Sequence, residues 1–431
     1  ETSLSTLFFR EETMKKLLIA VLCLMLTGCA APAPSDGSGP DRSVSPDIPA
    51  PSPAASSGPN GESGPPQASP ETDPETAENP SASQEPSESS LGPQNQEQII
   101  QELLSAMTLE EKVGQMFFVR CPETGGAELA AQYKVGGYLL FGRDFKDKTA
   151  QQVRDDIQSY QDASGIPLLI GTDEEGGTVV RASSNPDLFP QREPAPQTLF
   201  AQGGMDLILQ DARQKSMTLL DLGVNVNFAP VADVSTDPAD FIYARSFGQD
   251  AQATANYVAQ VVGVMGEEQI GSVLKHFPGY GNNVDTHTGI ALDQRPYETF
   301  QTSDFLPFQA GIQAGADAVL VSHNIAASMD ESLPASLSPT VHKILREELG
   351  FDGVVLTDDL AMDAVMEYAQ NGSAAVLAIQ AGNDMVVTTD FQTQIPQVIH
   401  AVQSGVIAES QIDQAVTRVL NWKYELGLLG N

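Results

Sequence analysis

From Gln98 to the C-terminus the chain repeats one pattern. A short apolar run is followed by a polar turn, then by a longer stretch with apolar positions three or four apart. The short runs are Gln115–Val119, Gly137–Phe141, Pro167–Thr172, Val224–Ala229, Ser272–Leu274, Ala318–Ser322, Gly353–Thr357 and Asp384–Thr388. The longer stretches predict helices over Ala150–Ala163, Leu199–Leu222, Ala251–Gln269, Ser303–Ala314, Pro339–Leu349, Gly372–Gln380 and Gln392–Ser404, with a last one from Glu409 to Tyr424. Ahead of them, Ile99, Ile100, Leu103, Leu104 and Met107 share helical spacing, and Thr108 with Glu111 three residues on reads as a helix start. Eight apolar strands alternating with helices predict a parallel sheet. The count, and the unbroken composition of residues 97–431, favour an α/β fold closed as a (β/α)8 TIM barrel with a single catalytic domain. A bare barrel needs about 250 residues. No G-x-G-x-x-G follows the first strand, so an open dinucleotide-binding sheet has little support.

The pattern is different before residue 97. Met14-Lys15-Lys16 opens a basic tip, Leu17–Leu26 is apolar, and Leu26-Thr27-Gly28-Cys29 follows. This reads as a secretory signal over residues 1–29. Its end resembles a bacterial lipobox, which makes Cys29 the lipidated residue of the mature protein. The plain alternative is an ordinary signal peptide or membrane anchor, but the apolar run is too short to span well. Residues 30–96 are Pro, Ser, Gly, Glu and Ala with scarcely a large apolar side chain. Such a segment cannot bury enough surface to fold and reads as a disordered acidic tether. Its typical span is roughly 45 Å. The expected location is extracytoplasmic, anchored by lipid to a bacterial membrane and touching it in no other way.

Charge narrows the partners. The formal net charge is −35, which argues against nucleic acid as a ligand. Two of the three cysteines fall in the signal, leaving Cys121 to the folded part, where a small buried hydrophobe is the simplest role. No metal-ligand spacing occurs, so neither a metal nor another cofactor is expected.

The barrel hypothesis places catalytic groups at the C-terminal ends of strands. The third run ends in Asp173-Glu174-Glu175-Gly176-Gly177, the fourth in Pro230-Val231-Ala232-Asp233, the fifth in Lys275-His276, the sixth in Ser322-His323-Asn324, the seventh in Asp358-Asp359 and the eighth in Thr388-Thr389. Any one of these residues would serve as a helix cap. As a set they form a ring of polar groups around one mouth. The fifth run continues through a Gly-rich loop to Asp285 and His287. A carboxylate that close can orient an imidazole and stabilise its protonated form, which makes a general acid or base. The bland reading is a polar surface loop, against which stands the placing of two of the five histidines in this stretch. Many donors and acceptors at one mouth suit a polyhydroxylated ligand such as a sugar. A carboxylate nucleophile plus a separate acid/base is the retaining glycosidase scheme.

The stretches Asp173-Glu174-Glu175-Gly176-Gly177, Arg245-Ser246-Phe247-Gly248, Lys275-His276-Phe277-Pro278-Gly279, Asp285-Thr286-His287 and Thr357-Asp358-Asp359-Leu360-Ala361-Met362 resemble family 3 glycoside hydrolases, in the β-N-acetylhexosaminidase branch. The resemblance runs from about Leu103 onward. It implies a TIM barrel, Asp358 as nucleophile, His287 as acid/base oriented by Asp285, and Asp173, Arg245, Lys275 and His276 as sugar ligands. Asp359, Glu174 and Glu175 read as structural or capping groups. The sequence departs from the family at Tyr280, often His, and at Thr286, often Ser. The substrate implied is a terminal β-linked N-acetylglucosaminide, such as the GlcNAc–MurNAc unit of cell-wall fragments, handled by a monomer. The competing expectations are a β-glucosidase or glycoside phosphorylase of the same family, and a sugar-binding lipoprotein without catalysis.

Overall fold

The computed structural model describes residues 93–283, 291–362, 365, 368 and 373–430. Eight strands form one parallel sheet in chain order: β1 (Phe117–Arg120), β2 (Gly137–Leu140), β3 (Leu169–Thr172), β4 (Val226–Asn227), β5 (Gly271–Phe277), β6 (Ala318–Val321), β7 (Val354–Thr357) and β8 (Val386–Thr388). Each of the eight runs read from the sequence overlaps one of them, with β1 and β5 reaching past theirs. β8 returns to pair with β1, with Phe117 opposite Val386. Between β7 and β8 the ring is completed by a single bridge, Leu356 with Met385. The Val387 amide adds a bond to the Thr357 hydroxyl at 3.0 Å. The expected (β/α)8 barrel is therefore the observed one. A separate parallel pair, Leu292–Asp293 with Ile325–Ala326, stands outside it.

Two apolar cores follow from the strand alternation. Residues of one parity, including Phe118, Leu139, Val226, Phe228, Val273, Leu320 and Leu356, fill the barrel. The other parity packs outward on the helices, with Phe117, Val119, Leu140, Leu274, Val319 and Val355 in a larger cluster. Phe118 and Phe228 meet edge to face inside, centroids 5.2 Å apart. They can do so because β3 carries Gly171 between them, where a Cβ would lie 2.7 Å from the Phe228 ring and 2.8 Å from the Phe118 ring.

Helix starts follow local rules. Thr108 and Thr149 each close a capping box, with Glu111 and Gln152 three residues on. The helix expected from Leu199 runs Pro196–Asp221 and breaks at Gly204, whose φ of 66° no continuous helix allows. The stretch expected at Ser303–Ala314 begins in a wider turn at Phe300–Asp304 before the helix Phe305–Gln313.

The base of the barrel is closed by the last helix, Glu409–Glu425, which delivers Val419 and Trp422 into the inner core. Beside Trp422, Lys423 is fully buried, and its Nζ lies 2.6 Å from Gln115 Oε1. Burial lowers the Lys423 ammonium to about 7. In the unfolded chain the same group keeps its proton up to about 10.4. Between these limits the unfolded state binds more protons, so this group makes stability rise with pH and contributes no slope below about 7. Comparing wild type with Lys423→Met by urea unfolding from pH 7 to 10, the wild type should gain on the variant. The expected slope is up to about 1.4 kcal/mol per pH unit. Parallel stability curves would show that Lys423 keeps its charge in the fold.

Candidate active site

The alternation that fills the barrel also decides which side chains reach its mouth. Continuing the inward parity by one step past Phe118, Leu139, Gly171, Val273 and Leu356 gives Arg120, Phe141, Asp173, Lys275 and Asp358. All five line one open cavity of about 410 Å³ at the C-terminal end of the strands. Arg181, Arg245, His276 and Tyr280 line it too. Asp173, Arg245, Lys275, His276 and Asp358, singled out in the sequence, are thus brought together. Asp285, His287 and Cys29 lie outside the described residues.

Lys275 is the centre of the ionic arrangement. Its buried Nζ is 2.8 Å from Asp173 Oδ1 and 2.5 Å from Glu175 Oε1. Glu175 is also clamped by Arg245, with Nε to Oε2 at 3.0 Å and Nη2 to Oε1 at 2.8 Å. A bidentate fork of this kind fixes orientation as well as charge. Burial alone would raise the Glu175 carboxyl, but Lys275 and Arg245 outweigh it and hold it below the usual carboxylate range. For Arg245 burial works the other way. Glu175 more than offsets it and keeps the guanidinium above its ordinary value. Glu175 therefore does more than the structural or capping role read from the sequence. It is a permanently charged post that aligns two cations facing the cavity.

His276 joins them through a bulge. Lys275 pairs with Leu320 and Phe277 with Val321, so β5 carries one extra residue opposite β6 at this point. The bulge lets Lys275 and His276 both serve the same cavity. His276 Nδ1 is 2.7 Å from Asp233 Oδ2, and Nε2 is 3.0 Å from Arg245 Nη2. With Nδ1–H donating to Asp233, Nε2 is left to accept from the guanidinium. Asp233 takes further bonds from the His276 and Tyr280 amides, at 3.1 Å and 2.7 Å. Asp233 is the orienting group that residue-by-residue reading left out, although it stands at the end of the fourth run.

The turn after β3 brings in another missed residue. Gly176 and Gly177 have φ of 95° and 64°, and a Cβ on Gly176 would lie 2.2 Å from the Pro194 carbonyl. Only glycine fits that close approach with positive φ. The chain doubles back, and Arg181 reaches Asp173, Nη2 to Oδ2 at 3.2 Å. Glu174 caps the returning segment, accepting from the Arg181, Ala182 and Ser183 amides at 2.9, 2.7 and 3.3 Å and from the Ser183 hydroxyl at 2.5 Å. This is the capping role expected for it.

Asp358 is half-buried at the end of β7. Its amide donates to Val321 O at 2.9 Å, and its Oδ1 accepts from the Asp359 amide at 2.8 Å. Asp359 accepts from the Ala361 amide at 3.0 Å, which is the capping role read for it, while its backbone carbonyl is 3.0 Å from His323 Nε2. A carboxylate on a rigid strand end faces a sugar-sized hollow edged by Asp173, Lys275, Arg245 and His276. That arrangement can hold several hydroxyls and present one oxygen nucleophile.

Residues 108–422 match the glycosyl hydrolase family 3 N-terminal domain. The chain belongs to that family. As a family 3 member it is a glycoside hydrolase, as the motifs implied. A protein of Stenotrophomonas maltophilia (strain R551-3) named beta-hexosaminidase is 35% identical over 318 residues, covering 71% of this chain and 89% of that protein. The structure of a family 3 β-N-acetylglucosaminidase from Paenibacillus sp. str. FPU-7 superposes with a TM-score of 0.69 at 31% identity, covering 76% of this chain and 64% of that one. A family 3 member from Mycobacterium smegmatis str. MC2 155 superposes at 0.67 with 28% identity, covering 76% of this chain and 99% of that one.

Proposed function

We propose that this family 3 hydrolase is a retaining β-N-acetylhexosaminidase that removes terminal β-linked N-acetylglucosamine, with cell-wall fragments as the source. Asp358 is the nucleophile that forms the glycosyl-enzyme intermediate. His287 gives a proton to the leaving oxygen and then takes one from water, and Asp285 orients its ring. Asp173, Arg245, Lys275 and His276 hold the sugar hydroxyls. The observation that carries this reading is the meeting of those four side chains with Asp358 in one cavity. The relative named beta-hexosaminidase and the β-N-acetylglucosaminidase structure support the choice of sugar.

A panel of aryl glycosides tests it. The β-N-acetylglucosaminide should turn over well above the β-glucoside and release free sugar. Added phosphate should leave the rate unchanged and yield no sugar 1-phosphate. A faster β-glucoside, or a phosphorylated product, would replace the reading with one of its family alternatives. The same proposal places the protein outside the membrane, held by a lipid on Cys29 and a tether over residues 30–96. Cys29→Ala should abolish acyl labelling, and undiminished lipid incorporation would remove the anchor from the account.

A further inference from the structure

Arg120 has no part in the ionic arrangement described above. It stands at the end of β1 with its side chain directed into the mouth, stacked on Phe141 with Cζ 4.2 Å from the ring centroid. Arg181 approaches the same ring at 5.2 Å. The two differ in what they touch. Arg181 has Asp173, whereas Arg120 makes no hydrogen bond or ion pair among the described residues. The Nε atoms of both are buried without an acceptor. Asp359 feels the charge of Arg120 through space, but its carboxylate is engaged by the Ala361 amide.

A half-buried guanidinium whose buried Nε has no acceptor among the described residues is unusual. Buried polar groups in native proteins are nearly always paired. Here the setting sharpens the contrast, because a chain of net charge −35 has many carboxylates to offer. The ring of Phe141 holds the guanidinium plane in place and shields one face, so little ordering cost remains when an acceptor arrives. The other cations of the cavity are each committed: Lys275 and Arg245 to Glu175, Arg181 to Asp173.

We propose that Arg120 receives an anionic group of the substrate, a carboxylate or a phosphate carried next to the reacting sugar, and so sets a preference for charged over neutral glycosides. This rests on the reading of the cavity as a glycoside site and adds to it the charge of the ligand. The anion has two possible sources, the terminal sugar itself or the group linked to it.

Thio-linked N-acetylglucosaminides, which resist cleavage, separate these by binding alone. One pair compares a 6-phosphate with its 6-hydroxyl parent, and the other an aglycone carboxylate with its methyl ester. The wild-type protein should bind the charged member of one pair about ten- to a hundredfold more tightly, the scale of one charge-assisted hydrogen bond. Which pair shows it identifies the source. In Arg120→Met, chosen to keep the apolar stem over Phe141, the charged-to-neutral ratio should fall towards one. Arg120→Lys should retain part of it. No charge preference in either pair, a preference that survives Arg120→Met, or an equal weakening of both members would each overturn the proposal. A failure of the sugar assignment reads differently, as absent turnover of the neutral aryl β-N-acetylglucosaminide by the wild type, and leaves the binding ratios to decide on Arg120.

Discussion

Asp358→Asn should fold normally and lose roughly 10⁴–10⁶-fold in kcat, the scale on which removal of a covalent nucleophile or its partners acts in hydrolases. The fold should survive because the bond that the carboxylate accepts from the neighbouring backbone is reproducible by an amide. Its Oδ1 accepts from the Asp359 amide, and an asparagine carbonyl can do the same. β7 itself is held by its neighbours: the Asp358 amide donates to Val321 O, and the Thr357 hydroxyl accepts from the Val387 amide. The chemistry should fail because an amide oxygen cannot form and release a glycosyl ester at a useful rate. Asp358→Ala leaves space for a small anion. With an aryl substrate, azide should recover part of the rate and give a glycosyl azide of inverted configuration. Survival of more than about a hundredth of the activity in Asp358→Asn would take the nucleophile's role away from this residue.

His287→Ala should show a loss that depends on the leaving group. A nitrophenolate departs without a proton, whereas a sugar alcohol needs one. The first step should therefore suffer far more with a disaccharide than with an aryl glycoside, by about 10²–10⁴-fold. Turnover of the aryl glycoside should then be limited by the second step, since the same group must activate water. That predicts a burst of nitrophenol followed by slow turnover. Asp285→Asn should give a smaller version of the pattern, because in the proposed mechanism its carboxylate acts only through the imidazole. The check is kcat/KM for both substrates in both variants. Equal losses on the two would remove His287 from acid catalysis.

Much of the fold was legible because it rests on local rules. Each short apolar run overlaps a barrel strand, whereas strand alternation does not separate Asp358 from Asp359, since both line the cavity. The inward parity would have picked out Arg120 and Phe141, one step beyond Phe118 and Leu139, had it been carried past the last apolar residue. The roles of Glu175 and Asp233 were not legible. Both are set by partners far along the chain, Arg245 and Lys275 for one and His276 for the other. Nothing local distinguishes Glu175 from Glu174. Yet one clamps two cations, while the other caps a turn. Bulges and wide turns, as at His276 and at Phe300–Asp304, also escaped a reading built on regular periods.

Trp422 is the only tryptophan in the chain. It is buried with Val419 in the inner core and borders Gly271, at the start of β5, whereas the cavity opens at the other end of the strands. Intrinsic fluorescence in this protein is thus a gauge of one end of the barrel. Its emission should shift when the last helix leaves the base, and stay silent when a sugar enters the mouth. Unfolding and ligand binding can then be followed on separate optical channels in a single unlabelled sample.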